Sequence, residues 1–526
     1  MQRITERKRK SMTNPALIDQ FLSETELFEE KIKALEAGEI TRKEFKGISG
    51  GFGSYAQKEG GYMLRLRLPA GRISKETLEF LADKSEQYQF DLLKITTCQT
   101  IQVHNLSAKD VVSFMRDCLR FGIITKGGGG DHPRNVMASP LSGVEKEELF
   151  DVLPYAQAAG DYLVSRMSAL HLPRKLKVGF SNTRENLTHA TFRDLGFAAR
   201  QDHTFSVYCA GGLGPNPKLG VLVAEQADPG EVTLYISAMI RLFVTYGNYQ
   251  VRAKSRTRYL QDTLGEEGIQ REFARFLAEA RQEEDPLPIS SPLLIRKNPE
   301  GTIQGERILE QKQEGLYAVS YHPIGGCLEP KKIQELWQTI KDFSDTELRL
   351  SPEGTLYVIN LSAKEVPPVL EATKDGAQTL FENSVSCIGV PICQHGLRCS
   401  QGLLRSCVER IRKENLKDGV LPQMHISGCP SSCGSHQTAA LGFVGHAKKI
   451  QGEMKPAFRL FTGGSQTDPG ARLGEEAGVL AEAVIPEFLA ALGRKIQDAD
   501  SVFETWYPAH TEEFQALVRE YADRAL

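Results

Sequence analysis

The chain has 526 residues, too many for one hydrophobic core, and should divide into three or four packed units. Charged residues make up 25% and apolar residues 40%, and the formal net charge of −3 excludes a global electrostatic attraction to nucleic acid or to an anionic membrane. No run approaches the roughly eighteen consecutive apolar residues of a membrane helix, so no membrane span is expected.

The basic start MQRITERKRK is not followed by the apolar stretch of a signal peptide. With the polar helical pattern LIDQFLSETELFEEKIKALEAGE behind it, it reads as a solvated N-terminal helical arm over residues 1–45. The expected location is therefore cytoplasmic, where disulfides are rare and clustered cysteines point to metal or redox chemistry.

Residues 46–120 then read strand, helix, strand, helix: GYMLRLRLPAG, ISKETLEFLADKSEQY, KITTCQTIQVH and the helix after NLSAKDV. In a strand, side chains two apart share a face. Leu64, Leu66 and Leu68 therefore form an apolar face, with Arg65 and Arg67 opposite. By the same rule Lys94, Thr96, Thr100, Gln102 and His104 share a face. A Gly-rich block over residues 121–300 adds Arg134 in GGGGDHPRN and a third basic strand, LPRKLKVGFS. There Leu176, Val178 and Phe180 oppose Lys175 and Lys177. A further run, Arg252, Lys254, Arg256 and Arg258, follows in YGNYQVRAKSRTRY. One such residue is ordinary surface; together, on strands with clean apolar backs, they predict a polyanion site.

The segment EEDPLPISSPLLIRKNPEGTIQG has the Pro, Ser and Gly content of a linker between halves. Beyond it the pattern recurs over residues 301–375, ending in NLSAKEV about 255 positions after NLSAKDV, so the chain is internally duplicated. Aligning Pro69 with Pro323 sets Arg65 against Val319 and Arg67 against Tyr321. Lys94 falls against Arg349, Gln102 against Tyr357 and His104 against Ile359. The first copy is thus the richer anion-handling face.

The last block, residues 376–526, carries CIGVPIC and HISGCPSSCGSH, which pair Cys387 with Cys393 and Cys429 with Cys433. Disulfides fit the expected compartment poorly. Structural zinc usually has two to four residues between paired ligands, whereas CIGVPIC has five. An iron–sulfur cluster tolerates varied spacing, and four thiolates are its usual complement. Gly428 and Gly434 would let the backbone approach a bulky cofactor closely. Cys98, Cys118, Cys209, Cys327, Cys399 and Cys407 read as small buried hydrophobes.

Cys-x5-Cys followed by Cys-x3-Cys within GCPSSCG resembles the signature of the nitrite and sulfite reductase haemoprotein family. MLRLRLPAG, the Thr96-x2-Gln99-Thr100-x-Gln102-x-His104 core, PRNV, LPRKLK, GGLG, YGN, ALGFVG and FRLFTGG follow in that family's order. The resemblance implies an α+β fold: duplicated ferredoxin-like half-domains plus two α/β sirohaem- and cluster-binding domains, related by a pseudo-twofold axis. It implies that Cys387, Cys393, Cys429 and Cys433 bind a 4Fe-4S cluster and that Cys433 also ligates sirohaem iron. Arg65, Arg134, Lys175 and Lys177 match the family's substrate-binding cations. Arg67, Lys94, Thr96, Gln102, His104, Arg252, Lys254 and Arg256 are the candidates for the sirohaem carboxylates. The implied activity is six-electron reduction of nitrite to ammonia or of sulfite to sulfide. GGLGPNPKLG lacks the strand–glycine–helix context of a dinucleotide site, so electrons are expected from a separate donor, a ferredoxin or a flavoprotein. The glycine of Cys-Ile-Gly speaks for nitrite and His104 for sulfite, with nitrite preferred. Thr97-Cys98 stands where the family usually has Asn-Arg or Thr-Arg, which removes one expected cation.

Overall fold

The computed structural model describes residues 15–292 and 294–524. The basic segment at the N-terminus lies outside them. Four five-stranded sheets form two related pairs. In one pair the order is Ser54–Ala56, Tyr62–Leu66, Ile101–Leu106, Leu92–Ile95 and Cys327–Leu328, matched by Ile308–Glu310, Leu316–Tyr321, Leu356–Ser362, Glu347–Leu350 and Arg72–Ile73. Each of these sheets therefore ends on a two-residue strand taken from the other half. Cys327 lies opposite Lys94, and Arg72 opposite Arg349. The helices Lys75–Gln87 and Pro330–Ile340 pack together, and both half-domains share one apolar core.

The NLSAK repeat has a structural reason. Asn105 and Asn360 both adopt a left-handed backbone, φ 61° and 63°, a conformation that asparagine tolerates better than most residues. Each is held by a glutamine: the Asn105 N–H donates to Gln57 Oε1 at 3.0 Å, and the Asn360 N–H to Gln311 Oε1 at 2.7 Å. Ser107 then caps the Ala108–Phe121 helix by accepting from the Asp110 N–H.

The register corrects the alignment of the two copies. Leu64 pairs with Val103, and Val319 with Val358. Arg65 therefore corresponds to Ser320 and Arg67 to His322, one position from the prolines-in-line alignment. In a strand one residue reverses the face. The second copy still lacks both arginines, and burial pushes the His322 imidazole down to about 3, so it is uncharged at neutral pH.

The other pair of sheets is also duplicated. Met137–Ala138, Val178–Ser181 and Leu195–Ala199 run parallel, followed by antiparallel Phe205–Cys209 and Val221–Ala227. Val385–Ser386, Met424–Ser427, Leu441–Ile450, Glu453–Thr462 and Glu475–Ala481 repeat that order. Each sheet has its own core and covering helices. Between Glu283 and Ile308 the described residues form no helix or strand.

The N-terminal helix Pro15–Glu36 is docked and is not a solvated arm. Phe21, Thr25, Phe28 and Ile32 form one buried stripe at helical spacing and join the half-domain core. Arg116 reinforces the contact through Thr25 and Glu29.

The strand exchange sets a charge network at the junction of the halves. Arg72 and Arg349 both pair with Glu347. Burial pushes the Glu347 carboxyl up, but the two guanidiniums outweigh it and hold it at about 2. Because this value lies below that of the unfolded chain, the pair stabilises fully above about pH 4.5, and that contribution is lost as the pH falls towards 2. Glu347→Ala leaves buried Arg349 without a counter-charge and should cost about 3 kcal/mol in denaturant unfolding at neutral pH. A loss below about 0.5 kcal/mol would contradict this account of the junction.

Candidate active site

One cavity of about 1270 Å³ lies where the halves meet. Its first-half wall is the polar face of the half-domain sheet: Arg65, Lys94, Gln102 and His104, with Thr96 from the adjoining turn. The loops around Arg134, Lys175–Lys177 and Arg252–Arg256 close the same side. The second half supplies the two cysteine loops, residues 386–396 and 428–435, so Cys387, Cys393, Cys429 and Cys433 all line the cavity. The halves touch here: the Thr97 hydroxyl donates to the Cys433 carbonyl at 3.1 Å.

The thiol loops leave the ends of the parallel strands Val385–Ser386 and Met424–Ser427. Cys387 N–H donates to Ile426 O, which ties the first loop to the strand that leads into the second. Gly428 and Gly434 are required by the protein itself and not by a ligand. A Cβ at Gly428 would lie 2.7 Å from Arg398 O, and one at Gly434 would lie 2.4 Å from Ile426 O. Gly389 is likewise fixed, with φ +58° and a Cβ position 2.6 Å from Ser400 Oγ. Packing alone thus requires the glycine of Cys-Ile-Gly. Cys399 accepts from the Gly402 N–H and caps the Ser400–Ile411 helix.

The wall carries eleven Lys and Arg side chains against two carboxylates, Asp131 and Asp194. Backbone carbonyls hold several of the cations in place. Arg134 donates to the carbonyls of Gly127, Gly129, Gly130 and His132 at 2.7–3.1 Å. Burial, with Arg65 nearby, pushes its guanidinium down to about 10, still charged at neutral pH. Asp194 accepts from the Lys177 N–H at 2.8 Å and from Arg256 at 3.1 Å, and also from the Thr257 hydroxyl. Lys175 is pulled well below the ordinary lysine value by burial and by Arg256 and Lys177. Cys98 holds the Lys177 ammonium up, but burial and the Arg193 charge more than offset it. Among the described residues neither ammonium has a hydrogen-bond or ion-pair partner. His104 Nδ1 meets Gln57 Oε1 at 3.0 Å, while its Nε2 is buried without a partner. Burial, with Arg65 and Lys94, pushes His104 down to about 3, so it presents a neutral ring to the cavity.

Two sequence candidates lie elsewhere. Arg67 follows the end of its strand, turns away from the cavity and is buried, donating to Pro133 O at 2.7 Å and to Arg134 O at 3.1 Å. It braces the loop that carries Arg134. Lys254 is exposed at the end of the 3₁₀ turn Arg252–Lys254 and is not on the cavity wall. Residues that the sequence reading passed over line the wall too: Lys43, Lys46, Arg174, Arg193 and Asp194. A signal for the last two existed. LGFAA and LGFVG occupy equivalent strands, so the turn before LGFAA, which carries Arg193 and Asp194, corresponds to the region after Cys433.

The donor set suits a large polyanion next to a multi-thiol group. Among the described residues no three His, Cys, Asp or Glu side chains are close enough to hold a single metal ion. The four thiols line one wall, and four thiolates are the usual complement of a four-iron cluster. Eleven cations and unpartnered donors such as Arg65 Nε and Arg256 Nε match a tetrapyrrole with many carboxylates.

A family model described as nitrite and sulphite reductase 4Fe-4S domain matches residues 129–279. One described as nitrite/sulfite reductase ferredoxin-like half domain matches residues 55–120 and again 309–376. The model named for the cluster thus matches the copy without the four thiols, and geometry places them in the other. A ferredoxin–nitrite reductase of Synechococcus elongatus is 29% identical over 452 residues, covering 82% of this chain and 86% of that protein. A sulfite reductase [ferredoxin] 1 of Mycolicibacterium paratuberculosis is 23% identical over 472 residues, covering 84% and 82%. The Mycobacterium tuberculosis NirA structure superposes with a TM-score of 0.71 at 21% identity, covering 88% and 90%, and so shares the fold.

Cys98 departs from the reading of a small buried hydrophobe: its thiol faces the cavity. Burial pushes it up, but Lys177, Arg193, Arg65 and Lys175 bring it down to about 7. Iodoacetamide labelling at Cys98, mapped by peptide mass spectrometry, should reach half its maximum near pH 7. A midpoint at or above the ordinary thiol value of about 8.5 would show that the cations do not act on it.

Proposed function

Since the chain belongs to the nitrite and sulfite reductase family, with its two family models together spanning more than half of the sequence, we propose that it reduces nitrite to ammonia and takes electrons from a ferredoxin. The observation that carries this reading is the single cavity in which four thiols face eleven cations. Sulfite reduction to sulfide at the same site is the second reading, favoured by the sulfite reductase relative. With Gly389 explained by packing, the preference for nitrite rests on the relatives named for that activity. A separate flavoprotein is the other donor that fits. A cytoplasmic site of action suits thiols that must stay reduced to carry a cluster; among the described residues no helix is long and apolar enough to cross a membrane.

When bound, the 4Fe-4S cluster and sirohaem would supply the one-electron redox chemistry that the reduction needs. Cys387, Cys393, Cys429 and Cys433 would hold the cluster, and Cys433, the exposed thiol of the four, would also serve the sirohaem. Thr96, Gln102, Arg193, Arg252 and Arg256 would hold the tetrapyrrole carboxylates. His104 would orient one of them, and Lys94 would add charge from the sheet face of the wall. Arg65, Arg134, Lys175 and Lys177 would hold the substrate. At an effective dielectric near 20, each cation about 4 Å from an oxyanion contributes on the order of 4 kcal/mol before desolvation. Arg134 remains charged and, with Arg65, would clamp the oxyanion. Lys175 and Lys177, whose ammoniums are less stable than in water, can give up a proton to the substrate oxygens and recover it.

An anion in the site stabilises the protonated lysines, so binding takes up protons and weakens as the pH rises. The KM for nitrite should therefore climb above neutral pH, and Lys175→Met should flatten that dependence. Lys177→Met should keep the visible spectrum while kcat/KM falls by about 10²-fold, the usual cost of losing one charge-stabilising donor. Full activity in Lys177→Met, with a reduced viologen as donor, would remove Lys177 from the substrate site. A kcat/KM ratio that favours sulfite would establish the second reading instead.

A further inference from the structure

Lys94 occupies an unusual place on the cavity wall. Its strand lies next to the one borrowed from the second half, opposite Cys327. Its ammonium is buried and donates to Ile95 O at 2.9 Å and to Gly325 O at 2.7 Å. Both acceptors are backbone carbonyls, and among the described residues no carboxylate pairs with it. The groups that can offset its charge are thiols, Cys327 and Cys387.

The turn around Lys94 is built for it. A Cβ at Gly326 would lie 2.7 Å from the Lys94 Nζ, and one at Gly325 would lie 2.4 Å from Gln401 Oε1. Gln401 Nε2 donates to the same Gly325 carbonyl at 3.1 Å and to the Cys387 carbonyl at 3.0 Å. A single side-chain amide therefore joins the carbonyl that holds the cation to the loop that presents the thiol. The Cys387 sulfur is itself surrounded by donors. The Gly428 N–H reaches it at 3.1 Å, and the Ser400 hydroxyl, which donates to the Cys387 carbonyl at 2.8 Å, lies 3.2 Å from the sulfur and can turn its one proton to a thiolate.

Two of the three ammonium protons of Lys94 are taken up by carbonyls, which limits what it can offer to a carboxylate in the cavity. Its field persists, since a buried cation in a weakly polarisable interior acts over several ångströms. A cluster that accepts one electron gains one negative charge, and its potential responds to nearby charge and to hydrogen bonds on its sulfurs. We propose that Lys94, assisted by the Ser400 hydroxyl, raises the reduction potential of the cluster at Cys387, so that a ferredoxin-class donor can reduce it. The proposal rests on the cluster assignment made above and gives Lys94 a tuning role directed at the cluster.

The test is a redox titration of the purified holoenzyme, monitored by electron paramagnetic resonance, for wild type, Lys94→Met, Lys94→Arg and Ser400→Ala. Iron and acid-labile sulfide are measured in each. Lys94→Met and Ser400→Ala should each move the cluster midpoint to a more negative potential with cluster content unchanged, and Lys94→Arg should stay near wild type. Unchanged midpoints in Lys94→Met and Ser400→Ala, with intact clusters, would overturn the proposal. If Lys94→Met does not fold, Lys94→Gln takes its place: a negative shift with cluster content unchanged supports the proposal and an unchanged midpoint overturns it. A wild-type protein without a four-iron signal would instead overturn the cluster assignment itself, a separate and recognisable result.

Discussion

Like-charge crowding around one cavity is the constraint to which the rest of the structure answers. Eleven cationic side chains face a common space with two carboxylates among them, in a chain whose net charge is −3. Two such charges about 6 Å apart repel by roughly 3 kcal/mol at an effective dielectric near 20. The fold bears this strain mainly with backbone dipoles. Four carbonyls surround Arg134, two hold Arg67 and two hold Lys94. The two wall carboxylates are the exceptions: Asp194 anchors Arg256, Thr257 and the backbone of Lys177 together, and Asp131 pairs with Arg174 and Arg252. Carbonyls fix a cation without cancelling its charge, so the positive field remains available to an anionic cofactor and substrate.

The duplicated architecture makes that arrangement possible. Two half-domain sheets exchange edge strands, and two larger sheets repeat one strand order. Within this symmetry the copies have divided the chemistry: the first presents cations from its sheet face and loops, while the second presents thiols from the ends of its parallel strands. Neither copy alone could couple an electron store to an oxyanion site. The Thr97–Cys433 contact and the Arg72–Glu347–Arg349 network hold the two at a fixed separation. The Cys98 thiol lies among four of the wall cations, Lys177, Arg193, Arg65 and Lys175.

Much of this was legible in the sequence. Strand alternation identified Arg65, Lys94, Gln102 and His104 as one polar face, because the period of a strand is insensitive to tertiary context, and all four line the cavity. The duplication could be read from the NLSAK repeat, whose asparagines and caps are required locally. What could not be read depends on contacts between distant segments. Arg67 shares a face with Arg65 in an ideal strand, but the strand ends before it and the carbonyls of Pro133 and Arg134 capture its side chain. The alignment on proline was one residue out because Pro69 and Pro323 occupy different steps of equivalent turns. The glycines beside the cysteines suggested room for a ligand, whereas the backbone packs into that room. The Phe21, Phe28 and Ile32 stripe was visible as a pattern but was read as solvated, since nothing local identifies its partner helix.

The central claim is that one cavity holds two coupled iron centres, a four-iron cluster at the thiol loops and a haem iron facing the cations. Iron-edge anomalous scattering from crystals of the holoenzyme tests it directly. The account predicts two separate peaks in that cavity: a strong one among Cys387, Cys393, Cys429 and Cys433, and a weaker one beyond Cys433 towards Lys175 and Lys177. A single peak, or iron located away from the four thiols, would contradict it.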